Sequence, residues 1–367
     1  MATGHGPARR RRMGLFAIII MLMATACSSI APVALPVQVP ATITPVNTLA
    51  QPAPTQFPTN TASPTATATP QPTSPLAATN TATAQPIASE TPAGMQVFRE
   101  IPYTQAKGVD PDLLSLDIYS PAAQGPHPVI VMIHGGSWRG GDKNTTVVSG
   151  TKSEFFTANG FVFISINYQL APQAIFPVQE QNVAAALAWV TQHISDYGGN
   201  PGELYLMGHS SGGQMAAAVA TDERYLTAYQ LTPGMLSGVI LLDAAGLDIP
   251  ATMSKSLSFT YTTAFGENPH TWAVASPVTH VAANKGIPPF LVTYTFQVAP
   301  FTLGSEEFAG ELEQAGVTTW SYAAADKTHD SITDDVGTPD DPVTEMIMMF
   351  LNATLPRPEG ERKMEWE

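Results

Sequence analysis

Short apolar runs alternate with longer amphipathic, Ala-rich segments between residues 96 and 355. The apolar runs are rich in Val and Ile and lack strict polar alternation, which is typical of strands buried on both faces of a sheet. They read PVIVMIHGG (128–136), FVFISINYQL (161–170), LYLMG (204–208), GVILLDAAG (238–246) and PFLVTYTF (289–296). Helical patterns occupy about 145–158, 178–196, 211–222 and 304–315, a last strand and helix occupy 318–325 and 342–355, and two strands around a turn occupy 98–120. This alternation predicts an α/β fold whose mostly parallel sheet carries helices on both faces.

The segment LYLMGHSSGG places a serine between two glycines, directly after a strand and before a helix. Gly208, Ser210 and Gly212 match the G-x-S-x-G pattern, in which the serine occupies a strained turn and its neighbours must be small. The N–H of Ser211, at the start of the helix, would point to where an oxyanion forms. Ser211 is the poorer nucleophile, because His209 would then occupy a position that requires glycine. The pattern therefore predicts Ser210 as a nucleophile, whereas a serine that only caps the helix is the alternative.

A second motif, HGGSW, follows the strand at 128–133. A glycine pair at this position lets the backbone turn its N–H groups towards the serine turn and complete an oxyanion hole. We assign that role to the N–H groups of Gly136 and Ser137, with Gly135 shaping the turn. His134 is expected to brace the loop through a hydrogen bond. Trp138 is predicted to form a wall of the substrate pocket, with a place in the core as the alternative.

These two motifs, together with NYQLAP (167–172), FPVQEQNVAAALAWV and YGGNP, resemble α/β-hydrolases of the carboxylesterase and hormone-sensitive-lipase-like group in order and spacing. The resemblance covers essentially all of 96–355. It implies an eight-stranded sheet, a small cap, a Ser–His–acid triad and hydrolysis of small-molecule carboxylic esters without metal or cofactor. Sugar-ester esterases and kynurenine formamidases share the HGG-x-W signature, so the acyl group and the alcohol stay open, and amidase action is an alternative.

The triad order implied by this fold is serine, acid, histidine, so the base should follow Ser210 in the chain. His270, His280 and His329 do so. Only His329 follows the last strand, in the polar loop AADKTHDSITDD, which is similar to the family's K-T-H loop. We therefore predict His329 as the general base, and a cap or surface role for His280.

The third triad member departs from the family pattern. By resemblance, Gln297 occupies the place of the family's Asp after the FLVTY strand. An amide can accept from His329 Nδ1–H but cannot stabilise an imidazolium electrostatically. Asp243, at the end of GVILLD, is the favoured substitute, and Asp326 and Asp248 are further alternatives. If no acid reaches the ring, the chain is a weak hydrolase or an inactive hydrolase-fold binding module.

The N-terminal segment RRRRMGLFAIIIMLMATAC combines a basic region, a short apolar stretch and small residues, as in a secretory signal peptide (1–26). Its end resembles a bacterial lipobox, although Ala24 stands where Leu is usual. The resemblance predicts lipidation of Cys27, the only cysteine, and an exported protein anchored to a membrane or cell surface. An ordinary signal peptide is the alternative.

Residues 27–95 are nearly all Pro, Thr, Ala, Ser, Gln and Val, which predicts a disordered linker. Residues 96–355 form one hydrolase domain, and 356–367 a polar tail. The formal net charge of −14 and the pI near 4.9 make nucleic acid an unexpected partner.

Overall fold

The computed structural model describes residues 89–90, 94–253 and 258–356. The predicted signal peptide, Cys27, nearly all of the predicted linker and the predicted tail beyond residue 356 lie outside the described residues. No helix within the described ranges is long and apolar enough to cross a membrane.

One sheet runs through the described domain. Its strands in chain order are β1 (Ser89–Glu90), β2 (Met95–Pro102), β3 (Ser115–Pro121), β4 (His127–Ile133), β5 (Val162–Ile166), β6 (Gly199–His209), β7 (Leu236–Leu242), β8 (Phe290–Tyr294) and β9 (Thr319–Ala323). Their spatial order is β1-β2-β3-β5-β4-β6-β7-β8-β9. The pairs from β5 to β9 are parallel, and β1, β2 and β3 add antiparallel strands at one edge. The predicted eight-stranded, mostly parallel sheet is confirmed, with the two-residue strand β1 added to it.

Helices occupy the crossovers between strands. The α-helices are α1 (Ser153–Ala158), α2 (Val178–His193), α3 (Ser211–Thr221), α4 (Arg224–Thr227), α5 (Ile249–Met253), α6 (Ser258–Phe265), α7 (Pro269–Ala275), α8 (Ala299–Gln314), α9 (Ser331–Asp334) and α10 (Pro342–Thr354). A π-helical turn (Val148–Lys152) precedes α1, and 3₁₀ helices cover Pro111–Leu114, Ile194–Tyr197, Pro233–Met235 and Pro277–His280. The short helices α5 to α7, between β7 and β8, form the predicted cap.

Alternate residues of each central strand enter two different apolar clusters, because side chains in a strand point to opposite faces. Ile164 packs with α2 and α3 on one face, and its neighbour Phe163 packs with α1 and α10 on the other. Each fully buried side chain of this kind contributes about 2 kcal/mol through removal from water. Burial on both faces explains why these strands read as continuous apolar runs.

Candidate active site

Ser210 stands in a sharp turn between the end of β6 and the start of α3. Its backbone has φ 52° and ψ −121°, a conformation that costs a non-glycine residue free energy and is found at functional sites. A side chain on Gly208 would collide with the carbonyl of Gly212, and one on Gly212 would collide with the carbonyl of Ile133 in β4. The two glycines are therefore required by the close passage of α3 over the strands, and the turn projects the Ser210 hydroxyl from the sheet edge.

His329 connects this hydroxyl to a carboxylate. His329 Nε2 lies 3.0 Å from Ser210 Oγ, and Nδ1 lies 2.6 Å from Asp243 Oδ2. A carboxylate only accepts, so Nδ1 carries the proton and Nε2 of the neutral ring can accept from the serine hydroxyl. Asp243 is fully buried, and Thr295 donates to it from both its N–H (2.9 Å) and its hydroxyl (3.0 Å). This order of hydroxyl, imidazole and carboxylate can generate a nucleophilic serine and stabilise the imidazolium that results.

The structure thus places Asp243, among the four alternatives, at the ring. Its φ of 43° is unusual for a non-glycine residue and turns the end of β7 towards the neighbouring loops. Gln297 also contacts His329, but differently from the expectation: its Oε1 accepts from the backbone N–H of His329 at 2.5 Å. Gln297 therefore holds the histidine loop rather than the imidazole, because Asp243 already occupies Nδ1.

The remaining alternatives lie elsewhere. Asp248 Oδ1 accepts from the Ala251 N–H at the start of α5. Asp326 is exposed, and neither carboxylate bonds the His329 ring. His280, for which a cap or surface role is expected, ends the 3₁₀ helix that follows the cap, and its ring contacts the Val274 carbonyl of α7 at 2.7 Å.

His209 contributes to the site, although its place before the nucleophile excludes it as the general base. Its Nε2–H donates to the His329 carbonyl at 2.8 Å, and the two rings lie 4.8 Å apart. Burial, and then the neighbouring His329, lower the pKa of His209 to about 3, so its ring stays neutral. With Gln297 on the N–H and His209 on the carbonyl, both backbone polar groups of His329 are held. The position of His209 within the motif is the signal that would have found it.

The predicted oxyanion donors lie around Ser210. The loop after β4 turns through positive φ at Gly136 (131°), Ser137 (57°) and Trp138 (59°). Among the described residues, no protein acceptor bonds the N–H of Gly136 or Ser137. Ser211 is the first residue of α3, where backbone N–H groups lack intrahelical partners. These groups are free to donate to a developing oxyanion.

The prediction that Trp138 forms a pocket wall was wrong. Its side chain is only 1% exposed and packs against Tyr261 and Phe265 of the cap helix α6. Its indole N–H donates to Gln214 of α3 at 3.0 Å. Positive φ at Trp138 directs the indole inward, so the residue ties the oxyanion loop to the core and the cap.

His134 and Gly135 support the same loop. The His134 ring stacks on Tyr168 at 4.4 Å, its Nδ1–H donates to the Gly135 carbonyl at 2.8 Å, and the Tyr168 hydroxyl donates to the His134 carbonyl. A side chain on Gly135 would collide with His209. The bracing role expected for His134 agrees with these contacts.

Glu180 of α2 lies below this loop and is fully buried. Gln214 Nε2 donates to Glu180 Oε1 at 3.1 Å, while Oε2 has no hydrogen-bond partner. Burial raises the pKa of Glu180 to about 7, partly offset by the Gln214 hydrogen bond. The carboxyl is therefore protonated in the folded state at a pH where the unfolded chain is ionised.

We expect the free energy of unfolding of Glu180→Gln, measured relative to that of the wild type, to be higher at pH 8 than at pH 5. Between about pH 4.5 and 7 the unfolded state releases the Glu180 proton while the folded state retains it, so the wild type loses stability as pH rises. The loss amounts to about 3 kcal/mol and is absent from the variant. Urea unfolding of both proteins at the two pH values measures the difference, with exposed Glu313→Gln as control. An equal difference at pH 5 and pH 8 would contradict the buried, protonated carboxyl.

A cavity of about 320 Å³, here called the Ser210 cavity, opens at this edge of the sheet. The catalytic candidates Ser210 and His329 and the oxyanion candidates Gly136 and Ser137 line it. The segments after β4, β6 and β9 line it, because the parallel strands of the sheet end at one edge. The cavity gives a ligand access to the candidate nucleophile and to the candidate oxyanion donors.

Comparison with known proteins agrees with this fold. The BD-FAE family matches residues 116–233. Esterase LipQ of Mycobacterium tuberculosis is 27% identical over 256 residues, which is 64% of this chain and 58% of that protein, so the chain spans little more than half of that relative. Kynurenine formamidase of Danio rerio is 25% identical over 241 residues, 65% of this chain and 76% of that protein.

Among solved structures, esterase B from Lactobacillus rhamnosis has a TM-score of 0.58 at 20% identity, covering 72% of this chain and 86% of that one. At this identity the likeness concerns the fold. The fold, the motifs and the sequence relatives agree: the described residues form an α/β-hydrolase domain, and its sequence is similar to carboxylesterases of the hormone-sensitive-lipase-like group.

Proposed function

We propose that the protein is a serine esterase that cleaves small carboxylic esters through an acyl-enzyme. The observation that carries the proposal is the continuous chain of contacts from Ser210 through His329 to the buried Asp243. His329 takes the serine proton as Oγ attacks the ester carbonyl, and the alkoxide of the tetrahedral intermediate accepts hydrogen bonds from the oxyanion loop and Ser211. The protonated ring then gives its proton to the departing alcohol. Water, activated by the same ring, attacks the acyl-enzyme and releases the acid.

Hydrolysis of aryl esters tests this proposal. Purified protein is incubated with p-nitrophenyl acetate, butyrate and octanoate, with acetylated and feruloylated sugars, and with N-formylkynurenine. We expect turnover of at least the short aryl esters, because the Ser210 cavity is small. Absence of both ester turnover and fluorophosphonate labelling would instead support a hydrolase-fold binding module.

Formamidase action is the second candidate, and the relative from Danio rerio favours it. The same acyl-transfer machinery can cleave a formamide if His329 protonates the leaving nitrogen. Turnover of N-formylkynurenine with a higher kcat/KM than the aryl esters would decide for this candidate.

We further propose that the chain is exported and anchored through a lipid on Cys27. The proposal is supported by the basic and apolar segment before this residue. We expect Cys27→Ala to move the protein from the membrane fraction to the soluble exported fraction, because two or more acyl chains give stable anchoring and a signal peptide alone does not. An unchanged distribution after ultracentrifugation would contradict lipidation.

A further inference from the structure

A lysine that is almost completely buried lies on the wall of the Ser210 cavity. Lys152 ends the π-helical turn that leads into α1, and its side chain is 1% exposed. It is the only Lys or Arg among the described residues that line this cavity. Within the described ranges its Nζ forms no hydrogen bond and no ion pair. An ammonium carries three donors, so Nζ can donate to a molecule that enters the cavity.

The nearest carboxylates do not satisfy this group. Asp335 and Asp341 are engaged by Lys327, at 2.8 and 2.7 Å. Asp334, at the end of α9, is exposed to solvent. Burial lowers the pKa of Lys152 to about 8 in spite of these three carboxylates, so their attraction does not offset the loss of water. Removal of a charge from most of its water costs free energy unless a partner compensates it, and none of these three carboxylates is bonded to Lys152 in the described ranges.

The acidic residues that line the cavity do not prevent an anion from binding at Lys152. Asp330 and Asp334 are exposed and hydrated, which weakens their repulsion of an anion. Asp142 is half-buried, but the Asn144 N–H donates to its Oδ1 and the Asn167 amide to its Oδ2. Met132 and Val148 add apolar surface to the wall of the same cavity, and an apolar wall strengthens a charge–charge contact made next to it.

We propose that Lys152 Nζ binds a carboxylate of the substrate, so that the preferred ester carries a carboxylate on its acyl or its alcohol part. The proposal rests on the esterase function proposed above. The carboxylate would accept charge-assisted hydrogen bonds from Nζ while the ester carbonyl lies at Ser210. Lys152 thereby selects substrate and takes no part in the proton transfers at His329.

Two matched pairs of substrates test the proposal. They also show whether Lys152 binds a carboxylate on the acyl part or on the alcohol part of the ester. The acyl pair is the p-nitrophenyl half-ester of adipic acid and p-nitrophenyl hexanoate, and the alcohol pair is 4-carboxyphenyl hexanoate and 4-carbamoylphenyl hexanoate. In Lys152→Met we expect the ratio of kcat/KM, charged over neutral, to fall about 10- to 100-fold for one pair. Exposed Lys107→Met removes the same charge elsewhere and should leave both ratios unchanged.

Asp334→Asn provides a variant at an exposed position, where folding is not at risk. Removing this carboxylate should raise the same ratio about 2- to 5-fold, since it repels an anion at Lys152. A ratio that falls in Asp334→Asn, or that is unchanged in a folded Lys152→Met, would overturn the proposal.

Binding to the Ser210→Ala variant gives a readout that is independent of turnover. The preferred charged ester should raise the Tm of Ser210→Ala and not that of Ser210→Ala with Lys152→Met. Absence of ester turnover in the wild type would refute the esterase function. Equal shifts in Tm for the two variants would refute only the role of Lys152.

Discussion

Ser210→Ala is expected to lower kcat/KM for p-nitrophenyl butyrate by about 10⁵- to 10⁶-fold and to abolish labelling by a fluorophosphonate. Without Oγ no acyl-enzyme forms, and the oxyanion loop and cavity alone support only residual hydrolysis. Mass spectrometry of the labelled wild type should place the modification on Ser210. The variant should fold normally, because the hydroxyl contributes no contact to the core besides that with His329.

Ser211→Ala is the matched control. Its hydroxyl is buried without a hydrogen-bond partner, and the substitution retains the backbone N–H that faces the site. We expect labelling to persist in this variant. Labelling that survives Ser210→Ala and disappears in Ser211→Ala would reverse the assignment of the nucleophile.

Asp243→Asn is expected to lower kcat by about 10³- to 10⁴-fold. The Thr295 backbone N–H can only donate, so an amide here turns its oxygen to that N–H and its NH₂ towards the Thr295 hydroxyl and the imidazole. That orientation favours the tautomer in which Nε2 carries the proton, and this ring cannot accept from Ser210. It also removes the negative charge that stabilises the imidazolium. Steady-state kinetics on one aryl ester, with circular dichroism as a check of folding, measures the loss.

Gln297→Asp distinguishes this arrangement from the one in which Gln297 is the partner of the ring. Gln297 accepts from the His329 backbone, and Asp243 already occupies the imidazole. We therefore expect the substitution to have little effect or to reduce turnover, because two carboxylates near one imidazole repel each other. A rise of about 100-fold in kcat/KM would show that Gln297 had limited the reaction. If neither Asp243→Asn nor Gln297→Asp changes turnover, both assignments are wrong.

The local pattern of residues in the sequence was sufficient to predict most elements of the fold. The apolar runs predicted β4 to β8, because residues buried on both faces of a sheet cannot alternate with polar ones. The glycines of GHSSGG predicted the turn at Ser210, because only residues without a side chain fit between β6 and α3. Helix ends were less accurate: α8 begins at Ala299 rather than near 304, since Pro300 occupies its first turn, where proline is tolerated.

What the sequence by itself determined is the set of strands, the turn that presents Ser210, and the loop that carries His329, because each depends on neighbours within a few residues. Only the tertiary structure decided which side chain meets the imidazole, since Asp243 and His329 are 86 residues apart and are brought together by the order of β6 to β9. It also decided that Trp138 faces the core and that Lys152 faces the Ser210 cavity. The direction of such a side chain depends on which helix packs over it, and packing between distant segments leaves no local periodicity in the chain.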